Sequence, residues 1–172
     1  MTNEIIALIA NLALALSVIV AVIFGITQVH IAARDRRERL TLETLRNFQT
    51  REFAELIHFM TSHDMPSSRA EMRALPANDQ IMFIQLAQQM ESLGILVAER
   101  LINIDLVDET LGSFVTSSWE KYKPTFEDIR ENQPDPFLGE YFQWLAERID
   151  ERMRDNPRKP YYQTHTSPIP EK

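Results

Sequence analysis

Residues 5–39 read IIALIANLALALSVIVAVIFGITQVHIAARDRRER. From Ile5 to Thr27 no side chain is ionisable, and Asn11, Ser17 and Thr27 are the only polar interruptions. The hydrocarbon core of a bilayer takes about 20 apolar residues at 1.5 Å rise each, so this run is long enough to span with some tilt. A secretory signal peptide would want a basic start and a shorter apolar stretch, whereas MTNE carries an acid. The expectation is a permanent transmembrane anchor over residues 1–30, with the lipid bilayer as its partner. Arg34, Arg36, Arg37 and Arg39 follow the run and no Lys or Arg precedes it. The positive-inside tendency then places the amino terminus outside and the long remainder in the cytoplasm. The same four arginines serve either as a topology signal alone or also as contacts to anionic headgroups, each worth on the order of 1 kcal/mol.

One face of the anchor carries Ala13, Ser17, Ala21 and Gly25, small side chains at every fourth position. Helices in lipid associate where small residues let backbones approach closely. This ridge is a candidate packing surface for a second copy or for a partner's helix, although short matches of this kind also arise by chance.

Composition narrows the classes. The chain has 172 residues, 44% of them hydrophobic, enough for one modest domain plus an anchor. Its net charge of −7 is uneven: residues 34–39 carry +2 while everything beyond them carries −8. Nucleic acid is not expected as a partner, because binding it rests on neutralising phosphates. Cysteine is absent, which excludes disulfides, thiolate metal sites and a cysteine nucleophile.

No Gly or Pro falls between Gly25 and Pro66, and the stretch is rich in good helix formers. One helix is expected from about residue 4 to about residue 62, so that residues 31–66 form a juxtamembrane helix leading into the bundle. Its apolar positions Leu45, Phe48, Phe53, Leu56, Ile57 and Met60 slip in register between Phe48 and Phe53. Ser68 and Glu71 have capping-box spacing and start a short helix that Pro76 curtails. A stronger helix is expected from Asn78 to about Asn103, with Phe83, Ala87, Met90, Gly94, Val97 and Leu101 as its seam. Gly94 costs about 1 kcal/mol of helix propensity relative to Ala, and a close helix crossing is the expected compensation. Asp105 is the expected cap of a helix to about Tyr122, and Pro124 the first residue of a short helix to Arg130. After QPDP at 133–136, a last helix should run from Phe137 to about Asp155. Its stripes are Leu138, Phe142, Leu145 and Ile149, and Phe137, Tyr141 and Trp144. The second stripe is a candidate partner surface, with Trp144 balanced between core and interface. Residues 67–155 thus form the helical domain, and residues 156–172, with four prolines, a disordered tail.

Chemistry-bearing patterns are sparse. Glu55 and His58 share a helix face, but di-iron bundles need that pair twice with further Glu residues. His30, His63 and His165 lack an equivalent Glu, so no metal site is assigned. Glu91, Glu99, Arg100 and Glu120 lie near the apolar seams, where a buried carboxylate would gain a raised pKa; surface ion pairing is the commoner fate. No phosphate loop, GxSxG or HExxH occurs. Trp119 reads as core. No catalytic residue and no cofactor is assigned.

Four segments carry a family resemblance: E-x-L-G-x-L-V at Glu91 to Val97, the turn at Ile104 to Val107, W-x-x-x-K-P at Trp119 to Pro124, and F-x-W-L at Phe142 to Leu145. Together they cover most of residues 80–150. In these segments the chain resembles a bacterial family of membrane-anchored helical proteins, the domain of unknown function 4760. The resemblance implies an amino-terminal membrane helix, an arginine-rich stretch and an all-helical cytoplasmic domain at the bacterial inner membrane. It implies no activity, cofactor or catalytic residue.

The expected fold class is therefore all-α, a single transmembrane helix continuing into a cytoplasmic helical bundle. The expected function is non-enzymatic: an interaction module or accessory subunit of a membrane complex, with a protein partner or a second copy. An oligomeric sensor or effector acting through the transmembrane helix is the alternative. A metal-dependent or hydrolytic enzyme using Glu55, His58 or Glu91 is the third reading.

Overall fold

The computed structural model describes residues 2–132 and 135–164; among these, helices and turns account for all regular structure and there is no strand. Helix α1 spans Thr2–Arg46. Among the described residues nothing packs on its apolar part: the Ile, Leu, Val and Phe side chains from Ile5 to Ile31 are 48% to 70% exposed. This helix is long and apolar enough to cross a membrane. The helix Ala77–Ala98, α4, meets the same test of length and composition. It is nevertheless a core helix, because Phe83, Leu86, Met90, Leu93, Gly94 and Val97 are buried within the domain.

The expected single helix to residue 62 is interrupted. After Arg46 comes one 3-10 turn, Asn47–Gln49, then α2 over Arg51–Ser62. Thr50 is extended at φ −91°, ψ 161°, and its Oγ1 accepts the Phe53 N–H at 3.2 Å while donating to the Asn47 carbonyl. Asn and Thr compete for backbone partners in this way, which is why they favour caps over helix interiors. The break corrects the register: Leu45, Phe53, Leu56, Phe59 and Met60 are all buried, and Phe48 meets Phe53 edge-on at 4.9 Å. The slip between Phe48 and Phe53 marks this joint.

Ser68 caps α3, Arg69–Ala74, by accepting the Glu71 N–H at 3.2 Å. Glu71 reaches back one residue further than the usual capping box, to the N–H and Oγ of Ser67. Helix α4 stops at Ala98, short of the expected Asn103. Its end is a Schellman motif, in which Leu101 N–H donates to the Leu96 carbonyl and Arg100 N–H to that of Val97. Arg100 occupies the left-handed position at φ 57°, where Gly is usual. The shortened helix removes Leu101 from the seam and leaves it 48% exposed. Helix α5, Ile104–Asn132, is capped by Asn103 rather than Asp105: Asn103 Oδ1 accepts the Asp105 N–H at 2.9 Å. It runs unbroken through Pro124, where two helices were expected. The carbonyl left without its donor belongs to Glu120, an exposed residue.

The last long helix, α6, begins at Glu140 rather than Phe137, after a turn ending in Gly139 at φ 69°. Gln133 and Pro134 of the expected break lie outside the described residues. Helices α5 and α6 are antiparallel: Trp119 meets Phe142 at 5.2 Å near one end, and Arg152 pairs with Asp105 near the other. Helix α4 is antiparallel to α5, with Phe83 stacked on Tyr122 at 4.2 Å. The Tyr122 hydroxyl donates to the Phe83 carbonyl, and burial pushes its pKa up. The segment from 63 to 76 closes the far end of the bundle. There Thr125 Oγ1 donates to the Pro66 carbonyl and Arg69 N–H to Asp128. The expected tail is ordered in part: Arg158 returns to Asp108, and a one-turn helix α7 covers Tyr161–Thr164. Residues 165–172 lie outside the described residues.

Two expected outcomes follow from these ends. Relief of the left-handed strain in R100G should raise stability by about 1 kcal/mol, read as a later urea midpoint for the detergent-solubilised chain. The Ser67 backbone and hydroxyl donors hold the Glu71 carboxyl below its ordinary 4.5. Its contribution is therefore present above that value and fades as pH falls through the lowered one. Removal of one donor in S67A should move the Glu71 titration upward in a carbon-13 NMR experiment.

Candidate functional site

Helix α6 starts on glycine and has no side chain of its own to close its first turn. The missing cap comes from α4. Glu91 accepts the Tyr141 N–H at 3.3 Å and the Phe142 N–H at 2.9 Å, the donors a helix N-terminus leaves unpaired. One turn along α4, Gly94 lets the α6 backbone in: a Cβ there would overlap the Tyr141 carbonyl oxygen and lie 2.6 Å from its carbon. The close crossing expected from Gly94 is thus present, and E-x-L-G is a seat for the start of α6. Arg130 secures the same end from α5. Its Nε donates to the Leu138 carbonyl at 2.8 Å, an Nη to Gln143 at 2.6 Å, and its guanidinium lies 5.9 Å from the Trp119 ring centre.

A second seat joins α1 to the bundle. Thr41 is fully buried; its Oγ1 donates to the Arg37 carbonyl at 2.8 Å and accepts the Asn103 N–H at 3.0 Å. Arg37 donates to the Ile102 carbonyl at 3.4 Å, and Leu45 is buried beyond. The helix bearing the apolar run is therefore fixed to the α4–α5 turn, close to where the run ends. Further along, Thr44, Asn47 and Phe48 border a cleft with Gln85, Gln89 and Leu93, so α4 runs antiparallel to α1.

Between α5 and the end of α6 lies an open cleft of about 400 Å³. Asp108, 8% exposed, forms its floor, with Arg152 at 3.6 Å and Arg158 at 3.9 Å from its carboxylate. Asp105 takes a second nitrogen of Arg152. These ion pairs fasten the chain end to α5. Neither Asp108 nor Gly112 beside it stands out in the sequence, because an acid on a helix reads as surface until its neighbours are known.

The sequence-derived candidates fall in different places. Ala13, Ser17, Ala21 and Gly25 form an uncovered ridge on α1. Ser17 Oγ is engaged by the Ala13 carbonyl of its own helix, and a Cβ on Gly25 would meet nothing within 4 Å. Of the arginines, Arg34 pairs with Glu38 at 2.8 Å, Arg37 joins the bundle, and Arg36 and Arg39 are exposed. The expected surface splits: Phe137 is 67% exposed, Trp144 is half-buried against the core, and Tyr141 is half-buried at the Gly94 crossing. Trp119 is core at 3% exposure. Glu55 pairs with Arg51, His58 is exposed, and among the described residues no three His, Asp or Glu side chains converge as metal ligands.

These features define an all-α bundle seated on a helix long and apolar enough to cross a membrane. The family model described as domain of unknown function DUF4760 matches residues 15–149, and the chain belongs to that family. No curated protein and no solved structure matches the chain. The matched span starts inside the apolar run and ends at Ile149, so the joint at Thr41 and the seat at Glu91 both fall within the family unit.

Disruption of the α6 seat should be graded. G94A should cost about 2–3 kcal/mol, because the obstructing atoms are backbone. E91A should cost about 1–2 kcal/mol as a lost cap. Hydrogen exchange should quicken at the Tyr141 and Phe142 amides in E91A, ahead of the rest of α6.

Proposed function

We propose that this chain is a membrane-anchored helical interaction module, or accessory subunit of a membrane complex, that works without catalysis. In this reading α1 spans the bacterial plasma membrane with its amino terminus outside, and the bundle lies on the cytoplasmic side. One observation carries it: a bare apolar helix runs without a hinge into the seat made by Arg37, Thr41 and Asn103. A flexible tether would only concentrate the domain near the membrane. A seated helix also fixes how the domain faces its neighbours there. The four arginines after the run support the orientation. Glu91, one of the acids that sequence alone leaves open to chemistry, is occupied in holding the fold as a cap, and Asp108 serves as a buried counter-ion.

Crosslinking in native membranes, followed by purification under denaturing conditions, should recover a defined adduct with a membrane protein or a second copy. Recovery of monomer alone, at crosslinker levels that capture known complexes, would overturn the reading.

The uncovered ridge favours a second reading, an oligomeric sensor or effector acting through α1. Ser17→Leu, Ala21→Leu and Gly25→Leu together would then abolish any effect of the chain on membrane potential. An unchanged effect removes that reading and leaves the first intact.

A further inference from the structure

The bundle has a membrane-proximal end, and three separate stretches of chain meet there. Helix α1 has no ionisable residue but His30 between Ile5 and Ala33. At 1.5 Å per residue this length covers about 43 Å, the hydrocarbon plus both headgroup layers. Arg34 therefore emerges at the bilayer surface. Arg37, one turn later, is hydrogen-bonded to Ile102, so the α4–α5 turn stands about 5 Å above that surface. The start of α5 shares this end, since Asp105 and Glu109 border a cleft with Glu38, Thr41 and Leu42 of α1. So does the segment that closes and follows α6, because Arg152 and Arg158 are held by Asp105 and Asp108.

What this end exposes suits a lipid surface. Leu101 is 48% exposed beside Arg100, and Tyr162 is 75% exposed near Lys159. Among the described residues Arg36, Arg39, Arg100 and Lys159 have no carboxylate partner, in a chain whose net charge is −7. Of the carboxylates bordering the cleft there, Asp105 and Asp108 are taken by Arg152 and Arg158, while Glu109 and Asp155 border it as well. Tyrosine beside basic residues is the composition of membrane interfaces, and unpaired Lys and Arg are drawn to anionic headgroups.

We propose that the α4–α5 turn (Arg100, Leu101) and the chain end (Lys159, Tyr162), flanked by Arg36 and Arg39, form a second contact with anionic lipid headgroups. This contact would set the bundle down on the bilayer on one side of α1. It rests on the membrane reading of α1 but not on which side the domain occupies.

The absence of cysteine allows single spin labels on the full-length chain. Labels at L101C and Y162C, at I81C on the far, exposed end of α4, and at V18C within the apolar run are placed in bilayer discs. Discs of phosphatidylglycerol with phosphatidylcholine are compared with discs of phosphatidylcholine alone. In the anionic discs, labels at 101 and 162 should collide with an aqueous nickel chelate several-fold less than the label at 81. In zwitterionic discs, or with R100E and K159E added, they should return to the level of 81. Equal aqueous access at 101, 162 and 81 in anionic discs, with 18 accessible only to oxygen, overturns this contact alone. Aqueous access at 18 overturns the membrane reading itself.

Discussion

The start of α6 hangs on two side-chain positions of α4, one present as a carboxylate and one absent as a Cβ. Burial of Phe142, Leu145 and Ile149 supplies most of the energy for docking, about 1.5–3 kcal/mol each. Burial alone is indifferent to a shift along the helix, because one apolar stripe slides over another at little cost. The Glu91 carboxylate accepts the Tyr141 and Phe142 amides, and the bare Gly94 receives the Tyr141 carbonyl. Directional and steric terms therefore fix a register that the hydrophobic term leaves loose. With α6 placed, Arg152 reaches Asp105 and Asp108, and the chain end follows.

Much of this was legible in the sequence, and the failures have physical causes. The all-helical class, the apolar run, Trp119 in the core and the crossing at Gly94 follow from periodicity and side-chain size, which are local properties. The ends were less legible. Arg100 in a left-handed cap defeats any rule that looks for glycine, and Asn103 rather than Asp105 caps α5 because the chain has already left α4. Pro124 does not break α5, and the carbonyl it strands belongs to the exposed residue Glu120. Thr41 was invisible as a joint: a threonine inside a helix announces nothing until a second segment brings it an N–H. Glu91 was noted for chemistry and proves to be a cap, a role that depends on a helix some 50 residues away.

Charge and position are linked in the same economy of contacts. The body of the chain is acidic, yet its buried acid Asp108 is matched by Arg152 and Arg158, and Arg36 and Arg39 stand exposed where α1 leaves its apolar run. The tie between Thr41 and Asn103 fixes these arginines relative to the α4–α5 turn, since the two segments cannot drift apart without costing the Asn103 N–H its acceptor.

That tie also sets an azimuth. Successive residues of an α-helix advance by about 100° around its axis. Counted this way, the face bearing Arg37, Thr41 and Leu45 lies roughly 140° around the cylinder from the midline of the Ala13–Gly25 ridge. A neighbour laid along the ridge would meet the bare back of the rod, while the two bundles swung outward without collision. Insertion of a single residue between Gly25 and Arg34 would rotate each bundle by more than a quarter of a circle and bring them around toward the shared seam.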